Sequence, residues 1–168
     1  MKFINNQVIK QFEKAGWTAG RSILNQIKLP IETYPDFVKL FLNEYGLLKV
    51  QDIDYKSEIQ TYVASFIEFN PDISKGEYED DGNIDYYSSI LQKELYCLGY
   101  YTPDAYDICC DAGGRVYMLG EYCYYRGNSI YEGIENILLG WDNTLQLDED
   151  TGKWWNMDAE YVELPTLE

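Results

Sequence analysis

Histidine is absent from all 168 residues of the chain. That removes Ser-His-Asp and Cys-His nucleophiles, histidine-held metals and imidazole pH switches. Cysteine is scarce, four in all. Cys109 and Cys110 are adjacent, Cys97 and Cys123 stand alone, and no Cys-x-x-Cys pair exists to suggest structural zinc. The thiols are expected to pack as small hydrophobes in a reducing compartment. No apolar run approaches bilayer length, and the N-terminus lacks a signal-peptide core and cleavage pattern. A cytoplasmic protein with no membrane partner is expected. There is no internal repeat and no low-complexity linker, and one domain is the expectation at this length.

Basic residues are also few. Lys and Arg number 13 against 29 Asp and Glu, a formal charge of −16. Such a chain repels phosphate backbones, so nucleic acid is not an expected partner. The same field would speed association with a basic protein, although solubility alone also accounts for it. What is plentiful is aromatic surface, 16% of residues, with 17 Tyr.

The clearest local signals run from Tyr106 to Gly140. Asp107, Cys109 and Asp111 alternate with Tyr106, Ile108 and Cys110, the period of a half-buried strand. Gly113-Gly114 supplies the positive backbone angles of a tight hairpin, and Val116 to Leu119 returns as a strand. Gly120 breaks it, and Tyr122 to Tyr125 is a third strand candidate. Ser129 and Glu132 form a capping box; Ile130, Ile134, Ile137 and Leu138 follow at helical spacing, closed by Gly140.

Earlier in the chain, Asn5 or Asn6 caps a helix through about Lys14, with Val8, Ile9, Phe12 and Ala15 on its apolar face. Gly16 to Arg21 is a compact turn in which Trp17 is a packing anchor and Arg21 meets a carboxylate or chain carbonyls. Pro30 and Pro35 bracket an extended link, and Pro35 opens a helix buried through Phe37, Val38, Phe41, Leu42 and Tyr45. Leu47 to Val50 and Tyr62 to Phe69 read as strands, and Asn83 as the start of a helix reaching Leu98, with Gly99 closing it. After Gly140, Leu145 to Leu147 and Lys153 to Trp155 suit a hairpin, with one Trp on each face. Leu167-Glu168 reads as a cloning remnant.

Two acidic segments are the candidate binding surface. Glu77, Glu79, Asp80, Asp81 and Asp85 lie in one, and Asp148, Glu149 and Asp150 in the other, with Tyr122 and Tyr124 as exposed aromatic companions. Asp80-Asp81-Gly82-Asn83 lacks the alternation of a calcium loop, so neither a metal nor a cofactor is implied.

The joint order of these motifs resembles the SUKH superfamily, specifically its third subfamily. Its carriers are Gly16-Trp17 with Arg21, Tyr34-Pro35, Tyr45-Gly46-Leu47, Asn70-Pro71, Leu98-Gly99, Asp111, Gly114-Arg115-Val116-Tyr117 and Leu138-Leu139-Gly140. The similarity runs from about Val8 to Gly140, leaving residues 141–168 as an acidic C-terminal extension, a hairpin and tail packed on a domain of residues 1–140. The family commonly has Phe-Pro at Tyr34-Pro35 and Pro-Ile-Gly around Pro103-Asp104-Ala105. The resemblance implies an α+β domain, helices on a central mixed or antiparallel sheet. It also implies an immunity protein of a bacterial toxin system, which neutralises a cognate toxin, often a nuclease, by binding it. No catalytic residue is implied, although a carboxylate-based hydrolase and a regulatory interaction scaffold remain alternative readings.

Overall fold

The computed structural model describes residues 2–28, 31–53, 65–71, 83–140 and 144–166. Outside them lie Pro30, the first residues of the strand expected from Tyr62 to Phe69, residues 141–143, Leu167-Glu168, and the carboxylates Glu77, Glu79, Asp80 and Asp81.

The first helix, α1 (Asn6–Lys14), is capped by Asn5, whose side chain accepts from the N–H groups of Gln7 and Val8. A short 3-10 turn (Leu24–Gln26) leads to α2 (Asp36–Tyr45), with Pro35 one position earlier than expected, at the cap itself. The strands β1 (Lys49–Gln51) and β2 (Phe66–Glu68) pair with each other. Then follow α3 (Asn83–Leu91), β3 (Leu95–Thr102), β4 (Tyr106–Asp111), β5 (Val116–Leu119), β6 (Cys123–Gly127) and α4 (Ile130–Leu139). The chain ends in β7 (Leu145–Asp148), β8 (Lys153–Trp155) and β9 (Tyr161–Val162). All nine described strands form one sheet in sequence order, every pairing antiparallel. The protein is therefore α+β, with an antiparallel rather than a mixed sheet.

Both faces of the sheet are covered. On one, Val8 and Phe12 of α1, Phe41 and Tyr45 of α2 and Ile134 and Ile137 of α4 pack with Ile108, Val116 and Met118. On the other, Tyr87 of α3 packs with Cys97, Cys109, Tyr117, Tyr125, Leu147 and Trp154. Burial on two sides erases the half-buried pattern expected of β4, in which every residue after Tyr106 is buried. All four cysteines are buried and free. Burial pushes the thiols of Cys109, Cys110 and Cys123 up, which suits packing rather than reactivity.

The expected helix to Leu98 is corrected. It stops at Leu91, and Gln92 turns out of it with φ 52°. Leu95 and Leu98 belong to β3, where Leu95 pairs with Asp111. Their spacing looked helical because a strand buried on both faces is a continuous apolar run. Gly99 is no helix cap: it lies beside β2, where a Cβ would stand 2.1 Å from the Glu68 carbonyl oxygen.

The α4 box forms with one change. Ser129 Oγ accepts from the Glu132 N–H, while the Glu132 carboxylate reaches the N–H of Asn128 rather than that of Ser129. Gly133 lets α4 sit directly on β5 and β6, since a Cβ there would lie 2.4 Å from Val116 Cβ. Arg126, buried in β6, donates to the carbonyls of Asn136 and Gly140 and to Thr144 Oγ1. It thus closes the carbonyl end of α4 and holds the residue that leads into β7.

Candidate interaction surface

The motif residues turn out to be braces. Trp17 Nε1 donates to Glu44 Oε1 at 3.2 Å, and its ring stacks over Tyr45. Of the two partners open to Arg21, the structure selects carbonyls: Nη1 donates to Glu44 O and Gly46 O at the end of α2. At the hairpin, Asp111 Oδ1 accepts from the N–H groups of Gly113 and Arg115, with Gly114 at φ 89°. Asp111 Oδ2 accepts from Lys93 and from the Tyr117 hydroxyl. Burial would push the Asp111 carboxyl up, but Lys93 and these hydrogen bonds prevail and hold it low. Arg115 reaches away, donating to Pro165 O at 2.7 Å and to Asn128 Oδ1.

The acidic turn is built between β7 and β8. Asp148 Oδ1 accepts from the N–H groups of Asp150 and Thr151, an Asx turn that leaves Glu149 and Asp150 exposed. Asp148 Oδ2 accepts from the Tyr161 hydroxyl at 2.6 Å, which holds the Asp148 carboxyl below its usual range. The Glu149 carboxylate takes one hydroxyl on each oxygen, Tyr86 at 2.6 Å and Tyr87 at 2.7 Å. Burial first, then Glu149, pushes Tyr87 up; the hydrogen bond to Glu149 pushes Tyr86 up. Both phenols stay protonated donors at neutral pH.

Of the expected residues, the structure joins the exposed start of α3, with Asp85 beside Tyr86, to Asp148, Glu149 and Asp150. Tyr122 and Tyr124 do not join them. Alternation along β6 turns Tyr124 toward the first core, where it meets Tyr106 and Tyr122, while Cys123 and Tyr125 face the second. Tyr86 and Tyr161 were not foreseen. Both are exposed rings whose only sequence signal was the general abundance of tyrosine.

Asp107 is buried, and its Oδ1 has no hydrogen-bond partner among the described residues. Burial pushes its carboxyl up to about 6. Among the described residues no group of three His, Cys, Asp or Glu could hold a metal ion, and no helix is long and apolar enough to cross a membrane.

No curated protein and no solved structure matches the chain. A family model described as SUKH-3 immunity protein matches residues 4–140. That span takes in the Trp17-Arg21 brace on α2, the Asp111 hairpin with Tyr117, and α4 to its closing Gly140. With its braces and caps inside the matched span, the chain belongs to the SUKH-3 immunity protein family.

Proposed function

We propose that this protein neutralises a cognate toxin domain by direct contact, through the acidic surface of Asp85, Asp148, Glu149 and Asp150 with Tyr86 and Tyr161 beside it. The observation that carries this reading is the double tyrosine bond to Glu149. It fixes an exposed carboxylate on a rigid aromatic base, so little side-chain entropy is lost when a cation docks. Exposed rings next to carboxylates suit Lys and Arg by ion pairing and by cation–π contact together.

The partner that fits is basic, and a nuclease is the class favoured, because enzymes that hold phosphates carry positive clefts. A −16 protein is steered toward such a face and competes with nucleic acid for it. In this reading the protein acts in the cytoplasm, has no catalytic step of its own, and uses the extension after Gly140 as part of its binding face. In sequence, Glu77, Glu79, Asp80 and Asp81 immediately precede α3 and belong to the same proposal. Tyr122 and Tyr124, on the other side of β6, would form a separate contact.

The test is to co-express the chain with the toxin domain encoded beside its gene, purify the pair and assay survival and nuclease activity. A stable one-to-one complex that restores growth is expected. Protection without any complex, or turnover of a small molecule by the chain alone, would reject the reading.

A further inference from the structure

The hairpin of β8 and β9 has two unlike faces. Trp154 and Val162 stand opposite each other and pack into the second core. Alternation turns the next pair across these strands, Trp155 and Tyr161, to the other side. No described residue after Leu139 belongs to the first core, and on this side Trp155 and Tyr161 stay exposed. Met157, in the turn between the strands, is 77% exposed. Three of the nine exposed large hydrophobic side chains among the described residues thus fall within seven residues of chain. Single exposed rings are ordinary, whereas a cluster of them marks a contact surface.

The turn that presents them is fixed. Asn156 Oδ1 accepts from the N–H groups of Asp158 and Glu160, and the Asn156 N–H donates to the Glu160 carbonyl. Tyr161 serves as a buttress: its hydroxyl goes to Asp148, and its ring lies against Trp155 with centroids 5.1 Å apart. Trp155 and Met157 are the side chains left to meet a partner. Asp158 and Glu160 follow Met157 and are exposed. After Gly140 the chain holds eight carboxylates against one lysine, Lys153. An apolar centre ringed by charge of one sign is the layout of an interface whose partner carries the other sign on its rim.

We infer that Trp155 and Met157 are the apolar anchor of the toxin contact, and that they enter an apolar hollow rimmed by Lys and Arg. This rests on the toxin-binding reading and deepens it. The carboxylates of the acidic turn, with Asp158 and Glu160, steer the encounter. The two apolar side chains hold the pair together once it has docked, because a ring on a fixed base loses little entropy there. The hairpin lies beyond residue 140, where the family match ends, which puts partner choice in the extension.

Surface plasmon resonance of the full chain on the toxin domain encoded beside its gene tests this by separating the two rates. Trp155→Ala should speed dissociation about tenfold to a hundredfold and Met157→Ala about threefold, with association changed less than about twofold. Trp155→Phe should restore most of the loss. Melting temperatures close to that of the unaltered chain check the fold, and Met157→Ala, at the exposed tip, carries the test should Trp155→Ala not fold. Unchanged dissociation of a complex that does form would overturn the anchor and leave toxin binding standing. No complex with the unaltered chain would overturn both. A free chain that sediments as a dimer, and as a monomer in Met157→Glu, would assign this face to a second copy and overturn the anchor.

Discussion

Lys93 Nζ lies 2.6 Å from Asp111 Oδ2, joining the turn after α3 to the last residue of β4. The same carboxylate orders the hairpin through Gly113 and Arg115 and receives the Tyr117 hydroxyl. One buried side chain therefore explains why Asp111, Gly114, Arg115 and Tyr117 occur together. It also shows why a lysine before β3, unremarkable in sequence, belongs with them.

Lys93→Met should destabilise the protein by about 2–3 kcal/mol, toward the low end for breaking a buried pair because the lysine is partly exposed. Asp111→Ala, which also strips the turn, should cost about 3–5 kcal/mol. Urea unfolding monitored by tryptophan fluorescence measures both. A loss below about 1 kcal/mol in Asp111→Ala would show that the hairpin holds itself.

Asp107 should give stability an unusual pH dependence. Its folded carboxyl is pushed up to about 6 from 3.8, so the native state holds this proton more tightly than the unfolded chain. Its contribution is complete below about pH 4 and is lost as pH rises through about 6. Asp107→Asn should therefore raise the melting temperature at pH 7 and leave it nearly unchanged at pH 4. A melting series over that range checks the sign, and a lower melting temperature at pH 7 would contradict it.

Gly133→Ala should destabilise by about 1–3 kcal/mol, because the new methyl meets Val116 Cβ and forces α4 off the sheet. Adding Val116→Ala opens room and should return part of the loss. A double-mutant cycle by chemical unfolding shows this as coupling; strict additivity would place the strain elsewhere.

Trp154 and Trp155 are neighbours with opposite fates, 7% and 37% exposed. Trp154→Ala should cost about 3–5 kcal/mol by opening the second core. Trp155→Ala should cost less than about 1 kcal/mol. Comparing the two unfolding midpoints, with acrylamide quenching of the remaining fluorescence, tests the assignment of faces.

Glu149→Gln with Asp150→Asn should slow association with the cognate toxin domain about threefold to tenfold at low salt, and the difference should vanish near 1 M salt. Stopped-flow mixing reads the rate. An unchanged rate at low salt would move the contact away from this turn.

Much of the fold was legible where its cause is local. Asn5 caps α1, Ser129 caps α4, Gly114 turns the hairpin, and the two tryptophans of β8 separate by strand alternation. Each depends on a few neighbouring residues. Leu95 and Leu98 misled because burial on both faces removes the alternation that marks a strand. The proposed binding surface was legible only in part. Asp148 to Asp150 stood out by charge, but Tyr86 and Tyr87 lie 63 and 62 residues from Glu149, and nothing local pairs them.

By itself the sequence determined the absence of imidazole chemistry, the sign of the electrostatic field, the capped helices α1 and α4 and the glycine hairpin. Their causes are composition and spacing within a turn or two of chain. Tertiary structure decided where α3 ends, which carboxylate the tyrosines hold, how Arg126 closes α4, and that Trp155 and Tyr161 share an exposed face. Those contacts exist only once nine strands have been laid in order, because sheet pairing brings distant residues together that no local periodicity connects.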